Sequence, residues 1–199
     1  MIELRDVSKS YKIKSREKKR KKETIKALDN VSLNVTKAET YGLIGPNGAG
    51  KTTLLKILST LILPNKGSVT IDGLDVINDS EIVKTKIGLI NAEFVRSLYW
   101  RLSGINNLKF FANLRNVWNP EERIEYLLEL FDLKKAQDEL VMKYSTGMKH
   151  KLAFAVSLLN NPSILFLDEP LTGMDPKTAF DIKNLIKTEF NDKAIIWAS

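Results

Sequence analysis

The spacing of apolar residues changes along the chain, and each change marks an element. Ile2 to Val7 alternate apolar and charged positions, the period of a half-buried strand. Further strands are predicted over Ala27 to Val35 and Glu39 to Ile44, the second an apolar run that ends in Gly45-Pro46-Asn47-Gly48-Ala49-Gly50. Directly after these glycines, Leu54, Leu55, Ile57, Leu58 and Leu61 fall at helical spacing and give a helix with a broad apolar face. Gly67 to Ile71 and Ile87 to Ile90 predict two short strands. The character then changes. Ile105 to Arg115 and Glu121 to Phe131 are predicted helices, the second with Ile124, Leu127, Leu128 and Phe131 along one face. Gly147 to Leu159 continues as a helix carrying Met148, Leu152, Ala155, Val156 and Leu159 on one side. A strand at Ile164 to Leu167, a helix across Lys177 to Phe190 and a strand at Ala194 to Ala198 follow.

Strands alternating with helices imply an α/β fold built on a parallel sheet covered on both faces. Here the alternation is interrupted, so a single domain over 1–199 is expected, with 1–90 and 158–199 as its core and 91–157 as an inserted helical subdomain. No internal repeat is present.

Composition narrows the function. With 43% hydrophobic and 28% charged residues in 199, the chain can build a sizeable core. The absence of cysteine excludes disulfide scaffolds, thiolate zinc sites and cysteine nucleophiles; a single histidine excludes polyhistidine metal sites. No apolar run approaches the ~20 residues of a membrane helix, and the start has no signal-peptide pattern. The net charge of +7 is concentrated: Lys12 to Lys26 hold nine basic and two acidic residues, which leaves the remainder neutral. Nucleic acid spread over a whole face is therefore not expected as a partner. The basic stretch lacks apolar periodicity and is read as an exposed loop inserted over 12–26.

The chemistry lies in two motifs. Gly45-Pro46-Asn47-Gly48-Ala49-Gly50-Lys51-Thr52 fits G-x-x-x-x-G-K-[ST] in the required strand-to-helix context. Its glycines let successive N–H groups turn inward onto phosphate oxygens, and the following helix N-terminus adds a favourable dipole. Lys51 supplies a charge to the terminal phosphates, Thr52 offers a hydroxyl to Mg2+, and Thr53 adds a further phosphate contact. The second motif is an apolar strand that ends in acids, Ile164-Leu165-Phe166-Leu167-Asp168-Glu169. Asp168 at a strand's carboxyl end suits Mg2+, and Glu169 suits the polarisation of an attacking water. By itself such a pair is equally a helix cap or a surface salt bridge; beside a phosphate loop the catalytic reading is favoured.

Together with Tyr144-Ser145-Thr146-Gly147-Met148, these residues resemble the ATP-binding cassette (ABC) ATPases, the nucleotide-binding subunits of ABC transporters. The resemblance covers nearly the whole chain. It implies a P-loop NTPase core with a parallel sheet, N-terminal antiparallel strands and a helical insert. It also implies that Ser145, Thr146, Gly147 and Met148 open a helix that touches the ATP of a partner subunit, in a form similar to exporters of drugs, lipids or polysaccharides. In the same way Asp175, within Leu171-Thr172-Gly173-Met174-Asp175-Pro176, is expected at the dimer seam, and Tyr11 on adenine; capping of a helix and ordinary packing are the respective alternatives. The family's glutamine after Ile87 to Ile90 is absent: Asn91-Ala92-Glu93-Phe94 stands there, with Glu93 or Asn91 as the replacement oxygen donor for Mg2+. His150 does not match the family's switch histidine, which would follow Ala194 to Ala198, whereas the sequence stops at Ser199; His150 is read as exposed, and weak turnover is expected of a chain so shortened.

The resemblance therefore implies an ATPase with Mg2+ as cofactor, pairing with a second ATP-binding subunit. It also implies a separate transmembrane subunit at the cytoplasmic membrane face, with Leu98-Tyr99-Trp100-Arg101-Leu102 as a candidate dock. Two alternatives stay open: a soluble ABC ATPase acting on ribosomes or DNA, and a nucleotide-sensing subunit with little turnover. For the basic stretch, a solvated loop is weighed against contact with anionic lipid headgroups.

Overall fold

The computed structural model describes residues 1–14, 22–91 and 94–199. The chain divides into two compact units, 1–85 with 194–199 and 86–193. The strands predicted near Ile87 and Ile164 and the helix after Lys177 thus group with the central helices. Among the described residues no helix is long and apolar enough to cross a membrane.

The first unit is organised on β1 (Ile2–Lys14). It pairs antiparallel with β2 (Lys22–Val35) on one side and β4 (Lys66–Ile71) on the other, and β4 pairs with β5 (Leu74–Asp75). Register follows the apolar alternation: Ile2 faces Val35 and Ile71, and Leu4 faces Leu33 and Val69. Ile2, Leu4, Val7, Val35, Val69 and Ile71 are all 2% exposed or less, so they form this sheet's core. The register of β1 on β2 shifts three times between Leu4 and Ser10. Bulges of this kind bend a strand and add twist.

The basic stretch expected as a loop over Lys12 to Lys26 is strand in its described parts. Tyr11 lies opposite Ile25, Lys12 opposite Thr24, Ile13 opposite Glu23 and Lys14 opposite Lys22. Positions 15–21 lie outside the described residues. These strand ends gave no strand signal in the sequence because this arm of the hairpin buries little: Tyr11 is 37% and Ile25 49% exposed. A two-stranded ladder is held by main-chain hydrogen bonds and by β-branched residues such as Thr24 and Ile25, and it needs no buried face.

Short β3 (Thr40–Leu43) leads to the glycine loop and α1 (Lys51–Leu58). It pairs in parallel with β8 (Ala194–Ala198), with Thr40 opposite Ile195 and Leu43 opposite Ala198. Helix α1 buries Leu54, Leu55, Ile57 and Leu58, four of the five residues expected on its apolar face; Leu61 lies past its end and is 58% exposed. The short helix α2 (Ser80–Lys86) precedes β6 and has only Val83 buried, which is why periodicity did not reveal it.

In the second unit β6 (Ile87–Asn91) pairs in parallel with β7 (Ile164–Asp168), Ile87 opposite Ile164 and Asn91 opposite Asp168. Helices α3 (Gly104–Leu114), α4 (Pro120–Leu130) and α5 (Thr146–Ser157) follow the predicted spans to within a few residues. Helix α5 is enclosed on nearly all sides: Leu152 to Leu159 are each 2% exposed or less. A helix that is surrounded needs no polar face. His150 is accordingly 8% exposed, with Nδ1 2.9 Å from the Thr146 carbonyl oxygen, and the expectation of an exposed histidine is corrected. The last carbonyls of α5, which no helical N–H can reach, accept from arginines of the neighbouring helical layer. Arg115 Nη1 donates to Val156 O at 2.7 Å, and Arg123 Nε and Nη2 donate to Leu158 O at 3.2 and 2.7 Å. Burial depresses both guanidinium pKa values. Helix α6 (Pro176–Glu189) begins with proline at its first turn.

Candidate functional site

The candidate residues divide between the two units. In the first, the glycine loop turns through positive φ at Gly48 (86°) and Gly50 (91°), a region that costs other residues strain. Gly50 has a second requirement: a Cβ there would overlap Ala27 O and lie 2.9 Å from Leu28 Cδ2 of β2. The loop closes through Ala49 N donating to Pro46 O at 3.2 Å, and Leu54 N to Gly50 O at 2.8 Å starts the helix. Lys51 curls back over the loop, its Nζ donating to Gly45 O at 2.5 Å and Pro46 O at 3.2 Å. Helix α1 has no side-chain cap at Gly50 and no acidic residue in its first turn. Its N-terminal dipole is therefore unopposed locally, the condition for anion binding. Pro46, Asn47, Gly48 and Ala49 are exposed, as is Thr52, while Gly45, Lys51 and Thr53 are half-buried. Tyr11 stands on β1 with Lys9 Nζ 5.5 Å from its ring centroid, so one of its two faces carries a cation.

In the second unit β7 carries the acids out of the core. Ile164 to Leu167 are buried, Asp168 is half-buried and Glu169 is exposed. Glu169 adopts φ 48°, a left-handed conformation uncommon outside glycine. The turn is held by Thr172 N donating to Glu169 O at 3.1 Å and Thr172 Oγ1 to Oε2 at 3.4 Å. Gly173 (φ 79°) then reverses the chain into α6.

Ser145 caps α5, its Oγ accepting from Met148 N at 3.1 Å, and Asp175 caps α6, accepting from Thr178 N at 3.0 Å. Backbone and side-chain hydrogen bonds from Thr178 hold the Asp175 carboxyl below its ordinary range. The two caps meet at Gly147, where a Cβ would overlap Thr178 Oγ1 and come within 3.2 Å of Asp175 Oδ2. Thus Ser145, Gly147 and Asp175, separated by many residues in sequence, form one surface of the second unit. Thr178 belongs to this surface and was missed from sequence; its signal is the Asp-x-x-Thr spacing of a capped helix start. Tyr144 is a packing residue: 3% exposed, it donates to Ala136 O at 2.8 Å, and its ring occupies the space left by Gly104.

The aromatics after β6 are held by Asn107, fully buried on α3. Its Oδ1 accepts from Tyr99 N at 2.8 Å, and its Nδ2 donates to Tyr99 O and Ser103 O, each at 3.0 Å. That bracket presents Tyr99 and Trp100, 48% and 51% exposed, with Phe110 4.5 Å from Tyr99 in an edge-on pair. Asn107 also escaped the sequence reading, since a buried asparagine inside an apolar helix gives no periodic signal.

Oxygen atoms of the kind a divalent cation takes are present in each unit: the Thr52 hydroxyl in the first, and the Asp168 carboxylate and the Asn91 amide in the second. Asn91 Oδ1 is buried with no hydrogen-bond partner, and Asn91 is the register partner of Asp168. Hard oxygen donors with few carboxylates fit Mg2+, which takes one or two carboxylates and completes its shell with water and phosphate. Glu93 lies outside the described residues.

A family model described as ABC transporter matches residues 28–172. The daunorubicin resistance ATP-binding protein DrrA3 of Streptomyces coeruleorubidus is 39% identical over 165 residues, covering 82% of this chain and 52% of that protein. The chain thus spans about half the length of that relative. The ABC transporter ATP-binding protein NatA of Bacillus subtilis is 34% identical over 202 residues, 100% of this chain and 79% of NatA. Among solved structures, the post-hydrolysis dimer of the ATP-binding cassette MJ0796 with ADP and Pi is similar at a TM-score of 0.82 and 26% identity, covering 100% of this chain and 88% of that one.

Proposed function

Because the chain belongs to the ABC transporter family, we propose that it binds and hydrolyses ATP to drive transport through a separate transmembrane subunit. The observation that carries the reading is the strand, glycine loop and helix of β3 and α1, with the Lys51 ammonium held over the loop and an N-terminus that lacks a side-chain cap. Phosphate oxygens are bound by the amides of Asn47 to Thr53 and by Lys51, which stabilise the charge that develops on phosphoryl transfer. Thr52 and Asp168, with Glu93 as a further candidate, would be the oxygen donors to Mg2+, whose charge would offset that of the phosphates. Glu169 orients the attacking water and accepts its proton; its positive φ is the kind of stored strain that collects at functional positions. Tyr11 takes the adenine ring.

Ser145, Thr146, Gly147 and Met148 present a hydroxyl and the N-terminus of α5 to the terminal phosphate of a second subunit's ATP, and Asp175, packed beside Gly147, lies at the seam. Dimeric cassettes among the similar structures support this arrangement. Tyr99, Trp100 and Phe110 dock the transmembrane subunit at the cytoplasmic face, and export is favoured by the resistance proteins among the relatives. ATP binding measured by calorimetry tests the reading: Lys51→Ala should abolish it. Glu169→Gln should retain binding and sediment as a dimer with saturating Mg-ATP. A Lys51→Ala chain that binds ATP as the wild type does refutes the nucleotide site, and a Glu169→Gln chain that stays monomeric refutes the paired cassette.

A further inference from the structure

The Lys9 ammonium stands 5.5 Å from the centroid of the Tyr11 ring, within reach of the attraction between a cation and the negative face of an aromatic. It is anchored there, since its Nζ donates to Leu63 O at 2.6 Å. On either side of Lys9, Ser10 N donates to Asn65 Oδ1 at 2.7 Å and Ser8 O accepts from Asn65 N at 2.8 Å. The segment after α1 is thus fastened to β1 at three consecutive residues, Ser8, Lys9 and Ser10. Lys9 also marks the rung of the ladder that reaches the glycine loop. Its partner on β2 is Leu28, and Leu28 Cδ2 lies 2.9 Å from where a Cβ of Gly50 would stand. Tyr11 follows two residues later, about 7 Å along the strand at ~3.3 Å per residue. Glycine loop, ammonium and ring are therefore neighbours within the first unit.

We propose that Lys9 is a positioning residue for the nucleotide base: by holding one face of Tyr11, it sets the ring so that the other face receives a planar base. The inference rests on the reading of Tyr11 above and adds Lys9, with Leu63 as its anchor, to the base end of the site. An exposed aromatic side chain loses rotational freedom when it stacks on a ligand, and that loss weakens binding. A ring already drawn onto a fixed ammonium has lost part of that freedom beforehand. Leu63 follows α1, whose N-terminus begins at the glycine loop, so the same contact ties the base platform to the element that receives the phosphates.

The test compares Mg-ATP with magnesium tripolyphosphate, which carries the phosphates without the nucleoside, by calorimetry on this chain. The ratio of the tripolyphosphate to the ATP dissociation constant measures what the nucleoside contributes. Lys9→Met keeps the length of the side chain and removes its charge. It should leave the tripolyphosphate value unchanged and shrink the ratio about threefold, the scale of an exposed cation–π contact. Lys9→Arg, which retains a cation, should keep the wild-type ratio. In a Tyr11→Ala background, where the ratio is already reduced, Lys9→Met should change nothing further. The proposal is overturned if Lys9→Met matches the wild type, if ATP and tripolyphosphate affinities fall in step, or if the effect is the same size with and without Tyr11. A ratio that rises in Lys9→Met overturns it too, since the ammonium would then occupy the face the base needs. A Tyr11→Ala chain with the wild-type ratio overturns the placing of the base on Tyr11 itself, an outcome distinct from an inert Lys9 beside an effective Tyr11.

Discussion

Replacing Gly147 by alanine isolates the packing of the α6 N-terminus on α5. The added Cβ overlaps Thr178 Oγ1 and sits 3.2 Å from Asp175 Oδ2 and 3.4 Å from Thr178 Cβ. Thr178 is only 8% exposed, so its hydroxyl has little room to turn, and turning breaks its side-chain hydrogen bond to Asp175. Overpacking of this kind costs about 1–3 kcal/mol. Alanine's higher helix propensity returns at most about 1 kcal/mol, less in a first turn. The net is a loss of about 1–2 kcal/mol, equivalent at this chain length to a few degrees of Tm. Urea unfolding of the nucleotide-free chain measures it without contributions from ATP. The decisive comparison is the Thr178→Ala background. There the overlapping oxygen is gone, and Gly147→Ala should become neutral or stabilising by up to about 1 kcal/mol. A loss of equal size in both backgrounds, or a gain in the otherwise wild-type chain, would refute the reasoning.

Two further consequences are measurable on the same nucleotide-free chain. Burial, reinforced by the charges of Glu139 and Asp138, pushes the Tyr144 phenol up to about 12. The fold thus favours the neutral ring, and this contribution is complete below the ordinary tyrosine value of about 10 and is lost as pH rises through the folded value. Ultraviolet titration should show one of the five tyrosines ionising late, and Tyr144→Phe should remove that late phase alone. At the other end of α5, Arg115→Leu removes the donor to Val156 O. A charged hydrogen bond to a buried carbonyl is worth about 1.5–3 kcal/mol, and the urea midpoint should fall accordingly with the slope unchanged. An unchanged midpoint would show that water replaces the guanidinium.

Much of the fold was legible because most elements bury one face. The alternation from Ile2 to Val7, the leucines after Gly50 and the run Ile164 to Leu167 each announce a period that the core enforces. What escaped is where burial and period part company. Where the hairpin carries Tyr11, Lys12 and residues 23–26 its described side chains are exposed, so its sequence reads as a charged loop. Helix α5 errs in the opposite sense. Surrounded over most of its circumference, it hides His150, which an amphipathic reading places outside. Helix α2 has a single buried residue and offers no stripe to detect.

The site was legible where its chemistry is contiguous. Gly45 to Thr52 and Asp168-Glu169 announce themselves as runs, since a phosphate loop and a strand end each draw their ligands from consecutive backbone positions. Neighbours made by tertiary register are another matter, and Gly88 shows what fixes them. A Cβ at Gly88 would lie 2.9 Å from Leu165 Cδ2 and 3.0 Å from both Pro162 Cγ and Ser157 O. Only glycine lets β6 lie this close to the end of α5, with Gly88 opposite Leu165. That register sets Asn91 beside Asp168 three residues on; a slip of one position would turn Asn91 to the opposite face of the sheet. The juxtaposition of amide and carboxylate is therefore encoded at Gly88, which carries no chemistry of its own. Substituting it by valine overpacks this contact and should cost about 1–3 kcal/mol in urea unfolding; an unchanged midpoint would show that β6 and the end of α5 can part without cost.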